Sequence, residues 1–205
     1  MQIKRIAVFV SGGGSNMQAV MDGINAGRIN GRIVSVLSSS PNAYALVRAR
    51  EAGIETVVLP KDPVQREAVT LETLERCGAD LCLLAGYLGI ISPAVVSKYN
   101  NRMINIHPSL IPSFCGKGYY GHFVHEAVLD YGAKISGCTT HFVAEGIDTG
   151  AIIMQKAVPV MPDDTPETLA ARILVQEHII LPETVRLFCL DRLAVSGRKV
   201  TIKGE

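Results

Sequence analysis

Two polar side chains two residues apart, Asn105 and His107, close an apolar run in Met103-Ile104-Asn105-Ile106-His107-Pro108-Ser109-Leu110-Ile111-Pro112. Strand alternation puts both on one face, with Met103 behind them and Ile104 and Ile106 opposite. Imidazole is the side chain that changes protonation most easily near neutral pH, and a carboxamide can donate to a developing oxyanion or accept from an amine. The pair therefore suits proton transfer around a polarised carbonyl. Taken alone, Asn-x-His also reads as a strand end with a satisfied histidine and a turn. A carboxylate within reach would orient the ring and raise the pKa of His107 by stabilising imidazolium. Asp148, bracketed by Gly146 and Gly150, is the first candidate for that carboxylate and Glu145 the second; by itself Asp148 reads as a turn residue.

The elements that must hold such a group alternate between strand and helix. Residues 6–10 are a β-branched and aromatic run, Ser11-Gly12-Gly13-Gly14-Ser15-Asn16 follows, and Met17, Val20, Met21 and Ile24 recur at helical spacing. Glycines allow close backbone approach, and the N–H groups of a helix start, with Ser15 and Asn16, suit an anion, phosphate first; a tight strand-to-helix turn is the alternative. The loop has no Gly-Lys-Ser/Thr, and Met17 stands where Gly-x-Gly-x-x-Gly needs its third glycine.

Further strands at 33–37, 56–59, 81–86 and 103–107, with helices at 43–52 and 63–77, predict an α/β fold. It is a Rossmann-like, doubly wound sheet in three α/β/α layers, parallel in its N-terminal half. Ligands in such sheets bind beyond the carboxyl ends of the strands, where residues 11–16, 86–91 and 105–107 fall. Residues 86–93 are apolar enough to line a pocket. Arg66 reads as a solvated charge or a ligand contact. Residues 134–143 and 151–160 form a hairpin-like pair, so the C-terminal half is mixed. Residues 113–121 form a glycine-rich loop that closes over a substrate or simply connects.

His122 and His125 precede a helix through Leu129, with no third metal ligand nearby. Thr165 and Pro166 start a long helix that Pro182 limits or kinks, and Gln176-Glu177-His178 interrupts its apolar stretch. Glu177 reads as an exposed helical edge or as a carboxylate for a substrate amine. Residues 193–205 read as an edge hairpin around Ser196-Gly197.

Composition bounds the function. The 205 residues, 48% hydrophobic, suit one core and a single domain over 1–205, and the net charge of +1 gives no case for nucleic-acid or membrane binding. The first apolar run is too short for a signal peptide or membrane helix, so a cytoplasmic location is expected. Five scattered cysteines with no Cys-x-x-Cys pair imply reduced thiols: Cys82, Cys138 and Cys189 in the core, Cys115 in the loop, where a nucleophile or an inert thiol both fit.

Taken together, Ser11-Gly12-Gly13-Gly14-Ser15-Asn16, Leu84-Ala85-Gly86-Tyr87, Asn105-Ile106-His107-Pro108-Ser109-Leu110-Ile111-Pro112, His141-Phe142-Val143 with Asp148-Thr149-Gly150, and Gln176-Glu177-His178 resemble the folate-dependent formyltransferases, and among them the phosphoribosylglycinamide formyltransferase family. The resemblance covers nearly the whole chain. It implies formyl transfer from 10-formyltetrahydrofolate, as co-substrate, to the amine of glycinamide ribonucleotide, with no metal. By the same resemblance, Gly14, Ser15 and Asn16 hold the acceptor's phosphate, and Gln176 and Glu177 contact its ribose and glycinamide end. Arg66, Leu88, Gly89, Ile90, Ile91, Asn105, Ala144, Glu145, Gly146, Ile147 and Asp148 contact the formyl folate. Asn105 bonds the formyl oxygen, His107 is the general acid, and Asp148 raises its pKa.

Two departures stand out: Gly89 replaces an arginine common in the family, leaving only backbone contacts, and residues 114–121 replace a shorter Pro-Gly loop, which leaves the roles of Lys117 and Cys115 open. The resemblance leaves monomer and homodimer both open. A related 10-formyltetrahydrofolate deformylase, a hydrolase with the same Asn, His and Asp, usually carries an added N-terminal domain, whereas the first strand here begins near residue 3. Transfer to methionyl-tRNA is disfavoured by the neutral charge and by the absence of an RNA-binding domain. A non-catalytic nucleotide-binding module would not need Asn105, His107 and Asp148 together.

Overall fold

The computed structural model describes residues 2–204; Met1 and Glu205, at the ends of the single-domain and C-terminal hairpin readings, lie outside the described residues. The chain runs β1 (Lys4–Val10), α1 (Ser15–Asn25), β2 (Gly31–Ser38), α2 (Tyr44–Glu51), β3 (Glu55–Val58), α3 (Pro63–Arg76), β4 (Leu81–Leu84), α4 (Pro93–Lys98) and β5 (Met103–His107). It continues through α5 (His122–Asp130), β6 (Ile135–Phe142), β7 (Ile152–Pro159), α6 (Pro166–Cys189), β8 (Leu193–Ser196) and β9 (Lys199–Ile202).

These strands make one sheet in the order β3-β2-β1-β4-β5-β6-β7-β9-β8. The first five are parallel, β5–β6, β6–β7 and β8–β9 are antiparallel, and β7–β9 is parallel. The expected parallel half and mixed half are both present. Strand order reverses between β1 and β4, so the loops after these two strands flank the crevice where such sheets bind ligands.

Alternation explains why β1 can be apolar throughout. Ile6, Val8 and Val10 pack on one face with α1, α2, α5 and α6, while Ala7 and Phe9 pack on the other with Leu74 of α3 and Val95 of α4. Each fully buried side chain of this size contributes roughly 1.5–3 kcal/mol relative to exposure. The sheet is thus covered on both faces at its centre, where β1 and β4 carry no exposed row, while the edge strand pair β8–β9 keeps exposed positions.

Two local outcomes differ from the sequence reading, and a third decides between its alternatives. Residues 93–98 are helical, because Ser92 caps the turn by accepting from Val95 N and Pro93 occupies the first helical position. His122 and His125 lie inside α5 rather than before it. Helix α6 runs through Pro182 without ending, which excludes the first of the two readings of that proline, a limit to the helix, and Ile180, Leu181 and Val185 are buried on either side of it. Packing of that apolar face outweighs the one hydrogen bond that proline removes.

Candidate active site

At the end of β5, His107 is 4% exposed and makes two polar approaches. Its Nε2–H donates to the Phe114 carbonyl at 2.9 Å, and its Nδ1 lies 3.6 Å from Asp148 Oδ2. Asp148 is therefore the carboxylate that reaches the ring; Glu145 is exposed. Asp148 pulls the His107 pKa up, as expected, but it is not the largest effect on the ring. Burial pushes the His107 pKa down, outweighing the pull of Asp148 and of the Phe114 carbonyl in the opposite direction. A carboxylate neighbour favours imidazolium, but here desolvation is the larger cause, so His107 rests neutral at pH 7.

The antiparallel register of β5 and β6 sets Asn105 opposite His141. The buried His141 ring donates from Nδ1 to the Phe142 carbonyl at 2.8 Å, which leaves Nε2 to accept from Asn105 Nδ2 at 3.1 Å. One amide hydrogen of Asn105 is thereby engaged and the other is free to donate. Asp148 Oδ1 lies 3.5 Å from the same His141 nitrogen, and Oδ2 accepts from Gly116 N at 3.0 Å. Burial would raise the Asp148 carboxyl, but the two neighbouring imidazoles, in their protonated form, and the Gly116 N–H outweigh it and hold the group below the usual carboxylate range. Asp148 itself adopts a left-handed backbone (φ 56°), a conformation that aspartate tolerates better than most residues. Thr149 Oγ1 donates to the Glu145 carbonyl at 2.6 Å and stiffens the turn.

Across the crevice, Gly14 (φ 74°) precedes α1, and no side chain caps its first turn, so the first backbone N–H groups of the helix lack a side-chain cap, the feature that an anion site uses. The Gly12 and Gly13 carbonyls accept from Ala45 N and Arg48 Nε of α2 at 3.1 and 3.0 Å, which fixes the loop from behind. The Asn16 side chain is engaged within the protein: its Nδ2 donates to Glu177 Oε2 at 2.6 Å, across 161 residues of sequence. Glu177 is 7% exposed, which excludes the exposed-edge reading, and burial pushes its carboxyl up against the opposing effect of Asn16. Gln176, beside it, is half-buried.

Arg66, Ile90 and Ile91 line a cleft of about 340 Å³ with Tyr87, Thr70 and Val95. Arg66 is drawn onto the rim by donating to the carbonyls of Pro60 (3.0 Å) and Lys61. Leu88 is exposed, and its backbone N donates to Ser11 Oγ at 2.8 Å, while Ser11 Oγ also bonds Ser39 Oγ at 2.6 Å. A Cβ at position 89 would sit 2.5 Å from the Tyr87 hydroxyl, so a larger residue there would require the tip of that side chain to shift. Ala144, Glu145, Gly146 and Ile147 belong to the Asp148 turn and do not line this cleft.

Sequence reasoning missed the roles of His141, Phe114, Gly116 and Ser11. Only for His141 was there a usable signal, the alternation that places it with Thr139 on one face of a strand paired to β5. His122 pairs with Glu126 at 2.9 Å, His125 is buried, and Cys115 Sγ donates to the Pro112 carbonyl at 3.3 Å. Burial pushes the Cys115 thiol up, which is contrary to activation as a nucleophile. A second cavity, of about 440 Å³, lies at the opposite ends of the strands among Lys4, Asp80, Arg102 and Asp191 and includes none of the expected site residues.

Residues 4–185 match the family model described as formyl transferase. The chain is 43% identical over 197 residues to the chloroplastic phosphoribosylglycinamide formyltransferase of Arabidopsis thaliana, covering 93% of this chain and 67% of that protein. It is 37% identical over 204 residues to the phosphoribosylglycinamide formyltransferase of Escherichia coli strain K12, covering 98% and 94% of the two chains. The crystal structure of glycinamide ribonucleotide transformylase 1 from Symbiobacterium toebii superposes with a TM-score of 0.92 at 43% identity, over 98% of this chain and 94% of that one. At these identities and coverages the chain belongs to the formyl transferase family and, within it, to the phosphoribosylglycinamide formyltransferases.

Proposed function

We propose that this chain transfers the formyl group of 10-formyltetrahydrofolate to the primary amine of N1-(5-phosphoribosyl)glycinamide, yielding formylglycinamide ribonucleotide and tetrahydrofolate in purine biosynthesis. Residues 1–205 act as one formyltransferase domain on these small molecules in the cytoplasm, without a nucleic-acid partner, as a monomer or homodimer. The observation that carries the reading is the convergence of Asn105, His107 and Asp148 on one buried strand end, beside a helix-start anion loop and an apolar cleft.

The amine lone pair attacks the formyl carbon, a C–N bond forms, and the carbonyl π pair moves onto oxygen. The free amide hydrogen of Asn105 donates to that oxyanion, an interaction whose loss typically costs about 100- to 1,000-fold in rate. His107, neutral at rest, takes a proton from the attacking nitrogen and delivers it to the folate nitrogen. The C–N bond to folate then breaks, and its electron pair stays with folate. Asp148 stabilises the transient imidazolium. Gly14, Ser15 and Asn16 hold the phosphate through backbone N–H groups, and the Gln176–Glu177 pair meets the ribose and glycinamide end. Arg66 and residues 88–91 hold the folate, with the turn from Ala144 to Asp148 closing the end nearest His107.

A steady-state assay with 10-formyltetrahydrofolate, run with and without glycinamide ribonucleotide, tests the reading. Folate product only in the presence of acceptor is expected, and His107→Ala should abolish it while sparing acceptor binding. Product formed without acceptor would replace transfer by hydrolysis.

A further inference from the structure

His107 has two ring nitrogens, and the reaction needs to know which of them works. The Nε2 atom faces a carbonyl, at 2.9 Å from Phe114 O. A carbonyl oxygen can only accept, so Nε2 must carry a proton in both the neutral and the charged ring. Nδ1, which faces Asp148 at 3.6 Å, is then bare in the neutral ring. It is the atom left to gain and lose a proton.

The acceptor is aimed by an unusual arrangement. Phe114 has φ 49°, a left-handed conformation that is costly for a residue with a bulky side chain. Its ring meets the Tyr119 and Tyr131 rings edge to face, with centroids 6.3 and 5.7 Å apart and interplanar angles of 72° and 77°. Two residues on, Gly116 N donates to Asp148 Oδ2. Adjoining stretches of one loop therefore hold both partners of the His107–Asp148 pair, and an aromatic clamp supports the backbone turn that does so.

We propose that Phe114 is a positioning residue whose carbonyl, aimed by the Tyr119–Tyr131 clamp, fixes His107 as the Nε2–H tautomer and makes Nδ1 the nitrogen that carries the proton in formyl transfer. The assignment rests on the transfer reading for its catalytic consequence, but not for the tautomer. Orientation of a working imidazole by an acceptor on its far nitrogen sets both tautomer and ring angle. Here that acceptor is supplied by the main chain of the 113–121 loop rather than by a carboxylate.

The test is ring-nitrogen NMR of the full chain labelled with 15N-histidine, with His107 assigned by comparison with His107→Gln and titrated across neutral pH. In the wild type, Nε2 is expected to show the shift of a protonated nitrogen throughout and Nδ1 that of a bare nitrogen once the ring is neutral. Tyr131→Ala removes one side of the clamp at a side chain that is 82% exposed, so the fold is retained. It should mix the two tautomers and lower kcat by about 10-fold with little change in either KM, and Tyr131→Phe should restore both. Asp148, His141 and His125 are the titratable groups around the ring, so Phe114→Gly in the same assay separates the carbonyl's aim from their charge. A neutral wild-type ring protonated on Nδ1 overturns the proposal, as does an unchanged tautomer in both variants. If the tautomer is as expected but no formyl transfer occurs, the functional reading fails while the positioning stands.

Discussion

In the proposed reaction, the neutral resting state of His107 dictates the acid side of the rate profile. A ring that must accept the amine's proton is competent only when unprotonated, and burial sets its pKa below the ordinary value of about 6.5. Transfer should therefore be constant near pH 7 and fall as pH drops through that depressed pKa. Asp148→Asn removes the one carboxylate that favours imidazolium, so the fall should move to still lower pH while the plateau rate decreases; a pH series of kcat/KM in both proteins checks this, and movement to higher pH would contradict the assignment. At the acceptor end, Asn16→Ala leaves the buried Glu177 carboxyl without its 2.6 Å donor. In the proposed reaction that carboxyl meets the glycinamide end, so losing the group that holds it in place should raise the KM for glycinamide ribonucleotide with the folate KM little changed. The placement of Asn105 and His107 side by side at a strand end was legible because alternation is a local property. A chemical reading of the pair needed the rest of the chain, since Asn-x-His alone also reads as a strand end and a turn. Their protonation and partners were not legible, since Phe114, His141 and Gly116 reach them through loop geometry and cross-strand register.

Elements carry the next level of the argument. Strands β1 to β4 could be read as largely apolar runs, β5 from its alternation, and α6 from its Thr165-Pro166 start, because period and capping are local properties. Helix α4 escaped notice because its six residues make too short a period to register, although Ser92-Pro93 is itself a start signal. The β6–β7 turn shows why a legible element can still hide its function. Gly150 lies where a Cβ would strike the Phe142 carbonyl, the atom that also holds His141. Gly150→Ala is expected to destabilise the protein by about 1–3 kcal/mol through overpacking and, by shifting the turn, to lower kcat more than the folate KM. Denaturant titration and steady-state kinetics on the same preparation measure both, and a variant with wild-type stability and rate would show that the turn does not position Asp148.

At the scale of the molecule, the doubly wound class was legible from strand–helix alternation, and with it a crevice at the carboxyl ends of the strands, but not the strand order that sets the reversal between β1 and β4. What alternation does not reveal is that α1 and α6 join there through Asn16 and Glu177, a contact between positions far apart in the chain. The Ser11 hydroxyl is a second such join, because it ties the loop after β1 to Leu88 N in the loop after β4. The two loops hold different substrates in the proposed reaction, so ordering one partly orders the other. A first ligand then pre-pays part of the conformational entropy that the second would otherwise lose, which makes the two binding events mutually reinforcing and, by linkage, reciprocal. Ser11→Ala should leave each ligand's separate affinity near its wild-type value while erasing the gain that calorimetry detects when the other is already bound. A single hydroxyl would thus set how strongly the protein favours the ternary complex over either binary one.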